Sequence, residues 1–135
     1  MAGIALGTVM DAMAAALEAS GTVTKAHAWP VEGMIPGQAV IGYPRDPVEL
    51  DHTYQRGSDR LTIPVWFLCG LPQDKSTRTA VSDLLTAAGT DVGDALNADL
   101  GGASIHVMRA TVETVEFQGG PPLLAVRFDC DAIST

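Results

Sequence analysis

The amino-acid sequence predicts an α+β fold: a mostly antiparallel sheet of about five strands, with an N-terminal helix and one or two middle helices packed on one face. Three observations carry this expectation. An apolar stripe at helical spacing opens the chain. The segment Leu61–Cys69 alternates at strand period and is nearly apolar on both sides. The C-terminal part reads as two alternating arms around Gly119-Gly120-Pro121-Pro122. At 135 residues the chain is expected to be a single domain, 1–135, able to bury roughly two-thirds of its unfolded surface without disulfides or metal.

The first helix is expected over Ile4–Ala19. Leu6, Val9, Met10, Met13 and Leu17 share one stripe, Asp11 and Glu18 lie off it, and Gly21 stands where a left-handed cap belongs. Met10 and Met13 are read as core. Thr22–Trp29 alternates as a strand ending at Pro30, and Val31–Gly37 is a loop. The chain is organised around Val40–Gly70, which holds the end of a short strand over Gln38–Gly42, a proline-marked crossing, a polar loop over Asp51–Ser58 and the most apolar strand, Arg60–Gly70. In that strand Leu61, Ile63, Val65, Phe67 and Cys69 share a face opposite Thr62, Pro64, Trp66 and Leu68. Pro64 cannot donate to a ladder, so it belongs at a bulge or with its nitrogen toward an edge.

Gln73–Ala88 carries a helical stripe of Thr77, Ala80, Val81, Leu84, Leu85 and Ala88, stopped by Gly89. A shorter helix is expected over Asp91–Ala98, broken by Gly101-Gly102. Ser104–Gln118 and Leu123–Asp131 complete a hairpin. Leu124, Val126, Phe128 and Cys130 point inward in the second arm, and Arg127 and Asp129 point outward. The phase of the first arm slips near Glu113–Val115, where a bulge is expected.

Charge excludes one class of function. With 16 acidic against 8 scattered basic residues, net −8, no clustered Lys/Arg track for phosphates exists. The acidic balance serves solubility, and it is also compatible with a wall past which nucleic acid slides. Much apolar residue with little charge, 47% against 18%, favours an oligomer or a piece of an assembly. Cys69 and Cys130 show no metal spacing and read as buried reduced thiols. Met1–Leu6 lacks the basic region of a signal peptide, and no apolar run approaches the roughly 18 residues of a membrane span.

No catalytic centre is visible. His27, His52 and His106 lie in separate segments, and Asp51-His52 with Asp59 has no nucleophile beside it. Asp91, Asp94 and Asp99 do not match a calcium loop and read as a solvated helix side. Gly101-Gly102 and Gly119-Gly120 are turns, since no Walker lysine follows. No cofactor and no metal are expected. The polar loop His52–Arg60 has two readings that the residues leave open. One is an interface centre, because Tyr and Arg concentrate there; the other is a solvated connection with Tyr54 tucked over its own sheet.

The strings Val23-Thr24-Lys25-Ala26-His27-Ala28-Trp29-Pro30, Ile41-Gly42-Tyr43-Pro44, Thr53-Tyr54-Gln55-Arg56-Gly57-Ser58-Asp59-Arg60 and Ile63-Pro64-Val65, in that order, resemble tail terminator proteins of long-tailed phages infecting actinobacteria, which also serve as head–tail connector or neck proteins. The resemblance implies a structural virion protein and no enzyme. It implies a small α/β domain that assembles as a hexameric ring on the head-proximal end of the tail tube, ends tube polymerisation and docks onto the head connector. The partners so implied are further copies of the chain, the tail tube protein and a head-closure or connector protein; genome DNA passes through without specific binding, and no membrane is involved. Assembly would take place in the host cytoplasm. Carried over as subunit or tube contacts are Tyr43, Pro44, Tyr54, Arg56, Gly57, Asp59 and Arg60. The C-terminal hairpin is a second candidate surface, because a terminal strand can expose an edge. Two rival readings are another neck adaptor (head-closure or tail-completion) and a small α+β enzyme or ligand-binding domain, which predicts a deep pocket with perturbed titratable groups.

Overall fold

The opening stripe folds as helix α1 (Leu6–Ser20), which buries Val9, Met10, Met13, Ala14 and Leu17 and leaves Asp11 and Glu18 outside. Both methionines are core residues. The computed structural model describes residues 6–20, 23, 25–28, 37–43, 60–86, 92–116 and 122–134. Strands β1 (Lys25–His27), β2 (Gln38–Ile41) and β3 (Arg60–Gly70) follow, then helices α2 (Lys75–Thr86) and α3 (Gly93–Leu96), and finally β4 (Asp99–Leu100), β5 (Ala103–Val115) and β6 (Leu123–Ser134). They form one sheet in the order β1-β2-β3-β6-β5-β4. Only β1 and β2 run parallel; the other neighbours are antiparallel. The fold is α+β, as the sequence predicts.

Strand alternation decides which side of the sheet is filled. Leu61, Ile63, Val65 and Phe67 of β3 and Val126, Phe128, Cys130 and Ala132 of β6 join the α1 stripe in one core. Phe67 and Phe128 meet edge-to-face at its centre, with ring centroids 5.2 Å apart. Val81 and Leu84 of α2 and the buried Val92 and Leu96 around α3 pack on the same side. The helices therefore gather on one face. On the far face a smaller cluster of Val40, Leu68, Leu123 and Ala125 forms, with Trp66, Leu71 and Val115 against it.

Pro64 sits in unbroken register opposite Asp129. Its carbonyl accepts the Gly42 N–H at 2.8 Å, so its own nitrogen faces β2, just past the last paired residue Ile41. The missing donor falls where a strand ends. Gly42 belongs there for a second reason: a side chain at that position would run into the indole of Trp66.

Several expectations need correction. The bulge lies between Val107 and Arg109, with Met108 as the inserted residue, and Glu113–Val115 pair in register. Ile105 and Val107 face the core before the bulge, and Ala110 and Val112 take that side after it, so the parity change has to fall between them. A second irregularity lies between Leu68 and Gly70. Along α2 only Thr77 is buried, against Gly70 at the end of β3; Leu85 is exposed, and Ala88 is outside the described residues. The short helix is confined to Gly93–Leu96 and is followed by the unanticipated strand β4. Leu124 is half-buried near the end of the hairpin and joins neither cluster. Asp129 points away from the core as expected, yet it is only 6% exposed. Strand β6 runs on to Ser134 because Arg60–Thr62 pair with Ile133–Asp131. Gly21, Asp91 and the hairpin tip at Gly119–Pro121 lie outside the described residues.

The β4–β5 turn fixes α1 in place. Gly101 and Gly102 have φ of 62° and 87°, the left-handed pair that a two-residue hairpin loop of the I′ kind demands. A Cβ on Gly101 would stand 2.9 Å from the Thr8 carbonyl oxygen and the Val9 nitrogen. Helix and turn touch backbone to backbone.

Candidate functional site

The far face of the sheet carries a ladder of ion pairs across three strands. Arg60 Nη2 donates to Asp131 Oδ2 at 2.7 Å, and Thr62 Oγ1 donates to Asp131 Oδ1 at 3.3 Å. Arg109 Nε donates to Asp129 Oδ2 at 3.0 Å. Arg127 Nη1 donates to Glu113 Oε1 at 2.8 Å, and Trp66 Nε1 donates to the other oxygen of Glu113 at 2.8 Å. Arg127 Nε lies 3.1 Å from Asp129 Oδ1 without hydrogen-bond alignment, so that contact is coulombic. Three arginines thus face the three carboxylates of Glu113, Asp129 and Asp131. The ladder is balanced in charge.

The acidic excess therefore lies elsewhere. Asp11, Asp83 and Asp94 are exposed on the helices of the opposite side. Glu18 is tied down: its Oε2 accepts the Ala26 N–H at 2.9 Å, and Lys25 Nζ stands 3.5 Å away. That backbone hydrogen bond holds its carboxyl below the usual value, opposed by desolvation and assisted by Lys25.

Of the contact residues implied by the resemblance, two fall among the described ones. Tyr43 follows the end of β2 and is 61% exposed. Arg60 opens β3 at the same end of the adjacent strand, and its guanidinium is engaged with Asp131. Pro44, Tyr54, Arg56, Gly57 and Asp59 lie outside the described residues, as do Asp51 and His52. The arginine–carboxylate ladder is a site that the strand pattern alone does not assemble. Its signal is there: charged residues alternate at Arg127, Asp129 and Asp131, opposite Arg109 and Glu113 on the facing arm.

Strand β5 offers a second surface. Leu100 and Asp99 pair only with Ala103 and Ser104, and Ala98 and Asn97 accept the N–H groups of Ile105 and Val107. Beyond Met108, no strand among the described residues lies on the outer side of β5. Pro64 pairs with Asp129 through no hydrogen bonds, so the backbone groups of Asp129 turn toward Arg109. Those of Ala110, Val112 and Thr114 consequently turn outward. Met108 and Val112 expose large apolar side chains along this edge.

A depression of about 210 Å³ lies between α3 and β5, lined by Asn97, Val107, Met108, Ala110 and Phe128 among others. Arg109 is its one charged residue, and no nucleophile and base meet in it. His27 Nε2 contacts Gln38 Oε1 at 3.0 Å, and His106 is exposed on β5. Cys69 and Cys130 are free thiols; burial pushes both up, Cys130 to about 12 with help from the carboxylates of Asp129 and Asp131. Among the described residues no cluster of His, Cys, Asp or Glu is arranged to hold a metal ion, and no helix is long and apolar enough to cross a membrane. No protein-family model matches the chain, and no curated protein is significantly similar to it in sequence.

Proposed function

We propose that this chain is a ring-forming structural subunit of a phage tail, which caps the head-proximal end of the tail tube, ends the addition of tube subunits and joins the tail to the head connector. The observation that carries the reading is the ordered set of strings from Val23 to Val65 that resembles tail terminators. The structure is compatible with it in kind: an α+β sheet with helices on one face, an exposed Tyr43 beside the end of β2, and a strand edge that no described strand covers. A heterologous contact whose rotation closes makes a ring with a channel. Because the ladder face is charge-balanced, the candidates to line such a channel include the exposed Asp11, Asp83 and Asp94 of the helical side. A negative wall there lets the genome pass without sticking.

The test is to polymerise tail tube protein in vitro with and without the purified chain and to image the ends. Arrested tubes bearing a sixfold cap are expected. Arg56→Ala and Tyr54→Ala should weaken capping while circular dichroism remains native; if both unfold, those residues support the core instead. Tubes that elongate unchanged and bear no cap overturn the reading, and binding to the head connector without arrest reassigns the chain to head closure.

A further inference from the structure

We infer that the outer edge of β5, which no described strand covers beyond Met108, is a self-recognition site, where Arg109–Glu113 pairs antiparallel with the same segment of a second copy about a two-fold axis at Thr111. The inference does not depend on tail capping, because an isologous contact of this kind is distinct from the heterologous contact of a closing ring.

The segment reads Arg-Ala-Thr-Val-Glu, which complements itself when reversed. With the axis at Thr111, Arg109 of one copy stands opposite Glu113 of the other, twice over. Both residues lie on the ladder face, and a perpendicular two-fold keeps that face continuous between the copies. Arg109 and Glu113 would form non-hydrogen-bonded pairs, the kind in which facing side chains come closest. Arg109 is 66% exposed in its side chain, since only its Nε is held by Asp129, and the rest of its guanidinium remains in solvent. A carboxylate oxygen accepts more than one donor, so Glu113 can take this contact while keeping Arg127 and Trp66.

The backbone agrees with the side chains. Ala110 and Val112 point their N–H and C=O groups outward, and in this register each meets the other across the axis and exchanges both hydrogen bonds. On the helical face the same pairs bring exposed Val112 against Ala110. Other registers lose the complementarity. An axis at Ala110 sets Arg109 opposite Thr111, one at Val112 sets Arg109 opposite Val115, and one at Glu113 sets the carboxylate against itself. Asn97, whose Oδ1 accepts the Val107 N–H at 2.7 Å, closes the edge on one side and limits the pairing to this short stretch.

The experiment uses the full chain with Thr111→Cys under mild oxidation, with Thr114→Cys as control. Residues on the axis have Cα atoms about 4.5 Å apart, within disulfide reach. Two copies of Thr114 would sit about 20 Å apart. Covalent dimer should form at least about tenfold faster for Thr111→Cys. Adding Arg109→Glu, which turns both attractions into repulsions, should slow it about tenfold. Adding Val112→Pro, which removes an outward donor at an edge position that tolerates proline, should do the same. Circular dichroism checks that each variant folds. Equal, slow cross-linking of the two cysteine variants overturns the proposal, as does cross-linking that neither added substitution changes.

Discussion

Replacing Arg127 with methionine tests whether the ladder holds the sheet together. The side chain keeps its apolar stem and loses its charge, so packing changes little. Two carboxylates are then left short. Glu113 loses a 2.8 Å charged hydrogen bond and keeps only the Trp66 donor. Asp129, 9% exposed in its side chain, keeps only Arg109. A hydrogen bond to a charged group contributes about 1.5–3 kcal/mol. Removing one member of a well-buried pair costs about 3–5 kcal/mol. Arg127 is 18% and Glu113 27% exposed in their side chains, so solvent screens part of the loss. A destabilisation of about 2–3 kcal/mol follows, which is roughly a 10 °C fall in Tm for a chain of this size. The control is Lys25→Met, whose pair with Glu18 is open to water on both sides and should cost far less. Urea titrations of both variants, with unchanged slopes, give the comparison. A loss below about 0.5 kcal/mol for Arg127→Met, or equal losses for the two, would show that the ladder decorates the sheet without holding it.

Two further perturbations probe other parts of the fold. Gly101→Ala should cost about 2–4 kcal/mol, because the left-handed backbone disfavours a Cβ and that atom also collides with α1; Gly102→Ala meets no neighbour and should cost only about 1–2 kcal/mol. Thermal melts of the pair separate collision from conformation, and equal losses would contradict the close approach. The Cys130 thiol is raised from 9.0 to about 12, so the folded state favours its protonated form. That contribution is complete below pH 9.0 and disappears as pH rises toward about 12. Cys130→Ala should flatten the alkaline limb of a stability-against-pH curve, and an unchanged limb would refute the assignment.

The parts of the fold that could be read from sequence are those where one periodicity acts alone. Strand Arg60–Gly70 is legible end to end because β-branched and aromatic residues alternate between two sharply marked ends. The α1 stripe needed only its spacing. Strand β4 is too short to carry a period, and it exists because the Gly101–Gly102 turn folds it back on β5. The bulge lies away from Glu113–Val115, where the alternation of the sequence slips, and falls between Val107 and Arg109. The apolar pairs Ile105/Val107 and Ala110/Val112 have opposite parity and mark Met108. The parallel pairing of β1 with β2 depends on a crossover, which local pattern does not specify. For the site, sequence offered single residues. The ladder arises only when Arg127, Glu113 and Trp66, drawn from three strands, are set side by side by register.

Strands β3 and β6 lie next to each other in the middle of the sheet, yet Arg60 pairs with Ile133. Every other described element is synthesised before β6 is complete. Until that strand leaves the ribosome, β3 has β2 on one side and nothing on the other, with its apolar face waiting for Phe128. Native order at the sheet centre therefore has to await β6, and docking a local hairpin onto a distant strand is the kind of long-range closure that slows folding.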